Sequence, residues 1–186
     1  MRNLKYVVLI VGLMWIVQIG NFMLNYHLNF LGIYPRSPQG LVGIICSPFL
    51  HGSFSHLISN TIPLAILLSL LFVFYIRESF AVIMIIIILG GFILWGIGRP
   101  SYHVGASLLI YGLASFLFFA GLLRRNFLAL ILSVIIAIAY GGMIYGMFPT
   151  EGWISWEGHL AGAIAGLTGS IIYRKNGKTY KKVDKA

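Results

Sequence analysis

Long apolar runs constrain this chain more than any other feature. Six of them, at Leu4–Met23, Phe54–Ile76, Phe80–Ile97, Ala106–Leu123, Phe127–Phe148 and Gly158–Tyr173, approach or reach the length of a membrane span. A helix needs about 20 residues to cross ~30 Å of hydrocarbon. Only 9% of the 186 residues are charged, against about a quarter in soluble domains, so charge is too sparse to clothe a water-facing surface. In hydrocarbon each backbone polar group must be satisfied internally, which a helix does within its own segment. The expectation is an all-α integral membrane protein, a bundle of six transmembrane helices forming one domain over residues 1–186. Pro63 inside the second run is tolerable where neighbours satisfy the freed carbonyl.

The chain opens Met1-Arg2-Asn3-Leu4-Lys5 and runs into apolar sequence, as a signal peptide does. No small-x-small cleavage site follows, so the segment reads as a retained first helix. The net charge of +9 suggests nucleic acid only if its location is ignored. With six spans both termini share one side. That side holds Arg2, Lys5, Arg77, Arg124, Arg125 and five lysines with Arg174 at the C-terminal end, eleven cations in all, against Arg36 and Arg99 on the other. The positive-inside rule makes the first side cytoplasmic. The basic tail 174–186 is then an anchor on the cytoplasmic face, in contact with anionic lipid, and no nucleic acid partner is expected. Cys46 is the single cysteine, which excludes an internal disulfide framework. The stretch Asn21–His51, with Pro35 and Pro38, is the one long loop, and Leu41–Cys46 within it has the pattern of an interfacial piece.

In this orientation the second, fourth and sixth spans start at the outer face, and the polar residues of the chain gather at those starts. The second begins His51-Gly-Ser-Phe-Ser-His56 and continues to Asn60; the fourth begins His103-Val-Gly105-Ala-Ser107; the sixth begins Glu157-Gly158-His159. Polar groups at such depth are costly and mark a functional site by default. His56 and Asn60 are four apart and share a helix face, as do Ser107 and Tyr111. A hydroxyl, an imidazole and hydrogen-bond donors converging from three helices are the parts of an acyl-transfer site. Ser107 is the expected nucleophile and His159 its general base, because a serine hydroxyl needs one. The Ser107 amide, Asn60 and His56 are the expected oxyanion donors. Glu157, two residues from His159, faces elsewhere on its helix, so a Ser–His dyad is expected rather than a triad. Tyr111 is expected to orient the imidazole by ring packing. Gly158, Gly162, Gly166 and Ser170 recur every four residues, a stripe that lets two membrane helices touch backbone to backbone.

These residues resemble the rhomboid intramembrane proteases. The resemblance rests on His51-x4-His56-x3-Asn60, on Gly105-x-Ser107 with Tyr111 and Gly112, and on Gly158-His159-x2-Gly162-x3-Gly166, each at the outer start of an even-numbered span. It implies a Ser107–His159 dyad served by His56, Asn60 and the Ser107 amide. Tyr111 packs on His159, and His51 and Gly105 are supporting residues. It also implies a water-filled cavity open to the outside, substrates that are single-span membrane proteins cut near the top of an easily unwound helix, and neither a metal nor an organic cofactor. The family usually has glycine directly after the serine, where this chain has Leu108, and the Trp-Arg pair of the first outer loop is absent. Leu108 replaces half of a close-packing pair with Gly112.

Two other readings compete. One is a weak or inactive rhomboid-like protein that binds membrane helices without cutting them. The other is a metal or proton transporter built on His51, His56, His103 and His159. The bland readings are that His51 fixes the loop entering the second span by hydrogen bonding, His103 orients the loop before Gly105 or lines the cavity, and His27 is a surface residue. Trp15, Trp95, Trp153 and Trp156 fit interfacial or packing positions, and Pro149–Trp156 reads as a cap over the site. A plasma (inner) membrane location is expected.

Overall fold

The computed structural model describes residues 4–124, 126–149, 152 and 154–174. Among these the regular elements are all helices, with one isolated antiparallel bridge between Ile33 and His103 and no strand. The helices are α1 (Leu4–Met23), the short α2 (Gly43–Cys46), α3 (Phe54–Phe74), α4 (Ser79–Ile97), α5 (Ser107–Leu123), α6 (Phe127–Tyr140) and α7 (Trp156–Ile172). A 3₁₀ run, Gly141–Met147, continues α6. The six long segments lie where the apolar runs place them.

Four segments are long and apolar enough to cross a membrane: Leu4–Met23, Phe54–Phe74, Ser79–Ile97 and Phe127–Met147. The remaining two fall short, which corrects the expectation of six full-length spans: α5 and α7 have 17 residues each. Non-helical chain, 98–106 before α5 and 154–155 before α7, takes the place of their first turns, so both helices begin late. The apolar side chains of the four long segments face outward as well as inward. Val8, Leu9 and Ile16 on α1, Ile62 and Val73 on α3 and Ile138 on α6 are all exposed. Helices apolar on every face belong in lipid, and the protein is a multi-pass membrane protein.

Local chemistry sets the helix starts. The Ser53 hydroxyl accepts the His56 N–H, the Asn126 side chain accepts the N–H groups of Leu128 and Ala129, and the Ser155 hydroxyl accepts the Gly158 N–H. Each satisfies donors that a helix N-terminus leaves open. On α1, Val7, Met14, Gln18 and Asn21 form the buried stripe, seated on α3, where the Trp15 indole donates to Thr61 Oγ1 at 3.1 Å.

The loop between α1 and α3 is braced against the chain entering α5. Ile33 and His103 exchange backbone hydrogen bonds of 3.0 and 2.9 Å, and the Gly105 N–H donates to the Ser47 carbonyl at 2.9 Å. The Arg36 guanidinium donates to the carbonyls of Gly96 and Gly98, and the Trp95 indole to that of Ser37. Leu41, Val42 and Ile45 around α2 are exposed apolar side chains. His27 is exposed and Cys46 is free and half-buried.

The largest helix contact joins α5 and α7. A methyl group added at Gly162 would fall on the Leu108 carbonyl, and one at Gly166 on the Gly112 carbonyl. The two contacts have the same offset, so the helices run parallel in register with touching backbones, as small residues permit. The Leu108 side chain turns between α4 and α7, where a methyl added at Gly90 would stand 3.0 Å from Leu108 Cδ2 and 3.5 Å from Ala165 Cβ. Gly90 therefore makes room on α4 for the leucine that follows Ser107.

Candidate active site

The chain reaches Ser107 through Gly105, whose φ of +116° is one that L side chains rarely adopt. Glycine is required there for a second reason: a Cβ would stand 2.6 Å from His56 Cε1 and 2.8 Å from its Nε2. The His56 ring, carried by the first turn of α3, thus lies directly on the backbone that presents Ser107. Ser107 itself is the first residue of α5 and half-buried. A cleft of about 10 Å³ beside it is lined by Ser47, His103, Gly105, Leu108 and Gly158 among others, room for roughly one water.

One turn further along α5, the Tyr111 ring stacks on His159 with centroids 4.0 Å apart and planes 7° from parallel. Ser107 and Tyr111 share a helix face, so the imidazole lies against the face that carries the hydroxyl. The register of α5 and α7 agrees, since Gly162 meets Leu108 and His159 is one turn above Gly162. His159 Nδ1 donates to the Gly146 carbonyl at 2.8 Å. Asn60 is buried, and its Nδ2 donates to the His56 carbonyl at 2.7 Å, leaving one of its two N–H bonds for another acceptor.

His51 is fully buried, edge-on to His56 at a centroid distance of 5.0 Å. Its backbone N–H donates to the Gln18 side-chain oxygen on α1 at 3.2 Å, so the loop is held through the main chain of His51 rather than its ring. Burial, then the neighbouring His56, holds the His51 pKa down to about 3, with a Phe49 backbone contact pulling weakly the other way.

A second cluster ties the two helix starts together. His103 Nε2 donates to the Arg99 carbonyl at 3.0 Å, so its Nδ1 accepts the Ser155 hydroxyl at 2.6 Å. Burial is the main cause that lowers the His103 pKa from its ordinary value. Glu157 is buried and paired with Arg99 at 3.1 Å, and the Arg99 guanidinium also donates to the carbonyls of Gly152 and Ile154. His103 thus ties the chain before Gly105 to the start of α7 and also lines the cleft, and the Glu157 carboxylate is engaged by Arg99. The segment read as a cap, Pro149–Trp156, includes 150, 151 and Trp153, which lie outside the described residues, as do Arg125 and the basic tail from Lys175 on. Among the described residues no group of three or more His, Cys, Asp or Glu side chains could hold a metal ion.

The sequence reading missed Gly146, Gln18, Ser155 and the Arg99–Glu157 pair. The buried polar Gln18 on an apolar helix was a signal available in the sequence. Gly146 offers only a backbone carbonyl and has no side-chain signature.

Helical spans with a serine, stacked imidazole and amide donors at one end define a polytopic membrane protein with the inventory of an acyl-transfer site. A model of the rhomboid domain matches residues 38–176, and the chain belongs to the rhomboid family. Uncharacterized proteins of Mycobacterium tuberculosis and Mycobacterium bovis are each 35% identical over 171 residues, covering 87% of this chain and 71% of the relative. One of Mycobacterium leprae is 33% identical over 170 residues, covering 87% and 67%.

Proposed function

We propose that this protein is an intramembrane serine endopeptidase that cuts transmembrane segments of single-span membrane proteins, with Ser107 as nucleophile and His159 as general base. The observation that carries the reading is the Tyr111–His159 stack at 4.0 Å on the face of α5 that bears Ser107. In the reaction the Ser107 oxygen attacks the scissile carbonyl while His159 Nε2 takes its proton. The oxyanion is met by the Ser107 amide, the free N–H of Asn60 and His56. His159 then passes the proton to the leaving amine as the C–N bond breaks. Water, deprotonated by His159, attacks the acyl carbonyl, and as its bond to the Ser107 oxygen breaks His159 returns the proton to that oxygen. On this reading α5 and α7 are the two short spans of six, both termini are cytoplasmic as the excess of cations on that side supports, and the site opens toward the outer face of the cell membrane.

The test is cleavage of a reporter helix in proteoliposomes by the wild type, Ser107→Ala and His159→Ala. Either substitution is expected to lower kcat by on the order of 10³-fold or more, since nucleophile and base act as a unit. Equal cleavage by all three refutes the reading. A fluorophosphonate probe that labels folded wild type but not Ser107→Ala separates a cutting enzyme from a helix-binding relative.

A further inference from the structure

An imidazole that accepts a proton at Nε2 must carry its own proton on Nδ1. In serine hydrolases of the triad type a carboxylate enforces that tautomer. Here the acidic residue closest in sequence, Glu157, is engaged by Arg99. The partner of His159 Nδ1 is instead the Gly146 carbonyl at 2.8 Å, and a carbonyl can only accept.

Two features keep that carbonyl available. Gly146 belongs to the 3₁₀ run Gly141–Met147, where each carbonyl is normally taken by the N–H three residues on. Three residues beyond Gly146 stands Pro149, which has no N–H. Proline also drives the residue before it into extended backbone, and Phe148 has φ −94° and ψ 150°, so the chain turns away, and among the described residues no backbone N–H takes the Gly146 oxygen. The second feature is space. A Cβ at position 146 would collide with the Tyr111 hydroxyl and stand 3.2 Å from His159 Nδ1. A tight glycine denied its i+3 donor is more than the end of a lipid-facing helix needs, and both properties converge on one imidazole nitrogen.

We infer that Gly146 is a positioning residue whose main-chain carbonyl holds His159 in the Nδ1-protonated tautomer, with Pro149 keeping that carbonyl free, in the place a triad gives to a carboxylate. This rests on the reading of His159 as the base. The protein is tested as full-length chain in detergent, labelled with ¹⁵N-histidine, with His159 resonances assigned by their loss in His159→Gln. At a pH where His159 is neutral, the wild type should show a protonated Nδ1 and an unprotonated Nε2. Replacing Met147 by its α-hydroxy analogue turns the Gly146–Met147 amide into an ester, whose carbonyl is a weaker acceptor. That variant, and Pro149→Ala, should raise the Nε2-protonated fraction and lower kcat about tenfold with KM unchanged, the effect of weakening one hydrogen bond. An ester at Met143–Ile144 should change neither. Wild-type His159 protonated on Nε2, or unchanged tautomer and kcat in both variants, overturns the assignment. The dyad is judged separately: it fails if Ser107→Ala or His159→Ala still cleaves, and unchanged tautomer and kcat in the two variants leave it standing.

Discussion

Leu108 follows the proposed nucleophile directly, and its side chain fills the space that Gly90 leaves between α4 and α7. Removing it opens a cavity in a fully packed region. Leu108→Gly is expected to destabilise by about 3–5 kcal/mol, combining the cavity cost of a large-to-small change with the helix cost of glycine. Cleavage per folded molecule should stay within about twofold. Thermal unfolding in detergent and single-turnover cleavage measure the two separately. A large gain in cleavage would show that the leucine restrains the site. His51 makes the pH prediction. Its folded pKa of about 3 lies below the ordinary 6.5, so between those values the unfolded chain holds the extra proton. Stability from this residue is therefore full above about pH 6.5 and declines as pH falls toward 3. The slope is at most about 1.4 kcal/mol per unit. Unfolding midpoints across pH 4–7 should fall less steeply for His51→Gln than for the wild type.

Among the elements, α5 and α7 show what glycine does in this bundle. Gly162 and Gly166 stand against backbone oxygens of α5, whereas Gly12 and Gly20 on α1 have nothing within 4 Å of an added methyl. Gly166→Ala should force the helices apart and lower the unfolding midpoint by several degrees or abolish folding. Gly20→Ala should be neutral or stabilising by up to about 1 kcal/mol, the helix preference of alanine. A midpoint series in one detergent checks both. The sequence stripe at Gly158, Gly162 and Gly166 revealed this contact because its four-residue spacing is local. Apolar run lengths located the long helices for the same reason. The conversion of α6 to a 3₁₀ run at Gly141 was not legible, since Gly141–Met147 carries neither charge nor proline to mark an end to the helix before it. Likewise Ser107, Tyr111, His56 and Asn60 announce themselves by type and spacing. The Arg99–Glu157 pair joins residues 58 apart in the chain, and only the fold brings them together.

For the molecule as a whole, polar groups collect at both ends of an apolar bundle. Opposite the candidate site, Glu78 and Arg124 form a buried pair at 3.3 Å, with the guanidinium 4.5 Å from the Tyr75 ring centroid. Removing one partner of such a pair strands the other charge, whereas removing both can be close to neutral. Arg124→Met is expected to cost about 3–5 kcal/mol, and the double variant Glu78→Gln/Arg124→Met to recover most of it. Chemical denaturation of the purified variants measures the difference, and an undiminished double-mutant loss would mean the pair is replaceable only by its charges.

The touching backbones of α5 and α7 have a mechanical consequence. Ser107 and His159 ride on one rigid two-rail unit, whereas His56 and Asn60 ride on α3. On the proposed reading, a substrate helix that wedges the bundle open elsewhere would shift Asn60 and His56 relative to that unit without stretching the distance between hydroxyl and imidazole. Admission of substrate and alignment of the proposed proton-transfer pair would then belong to different joints of the same molecule.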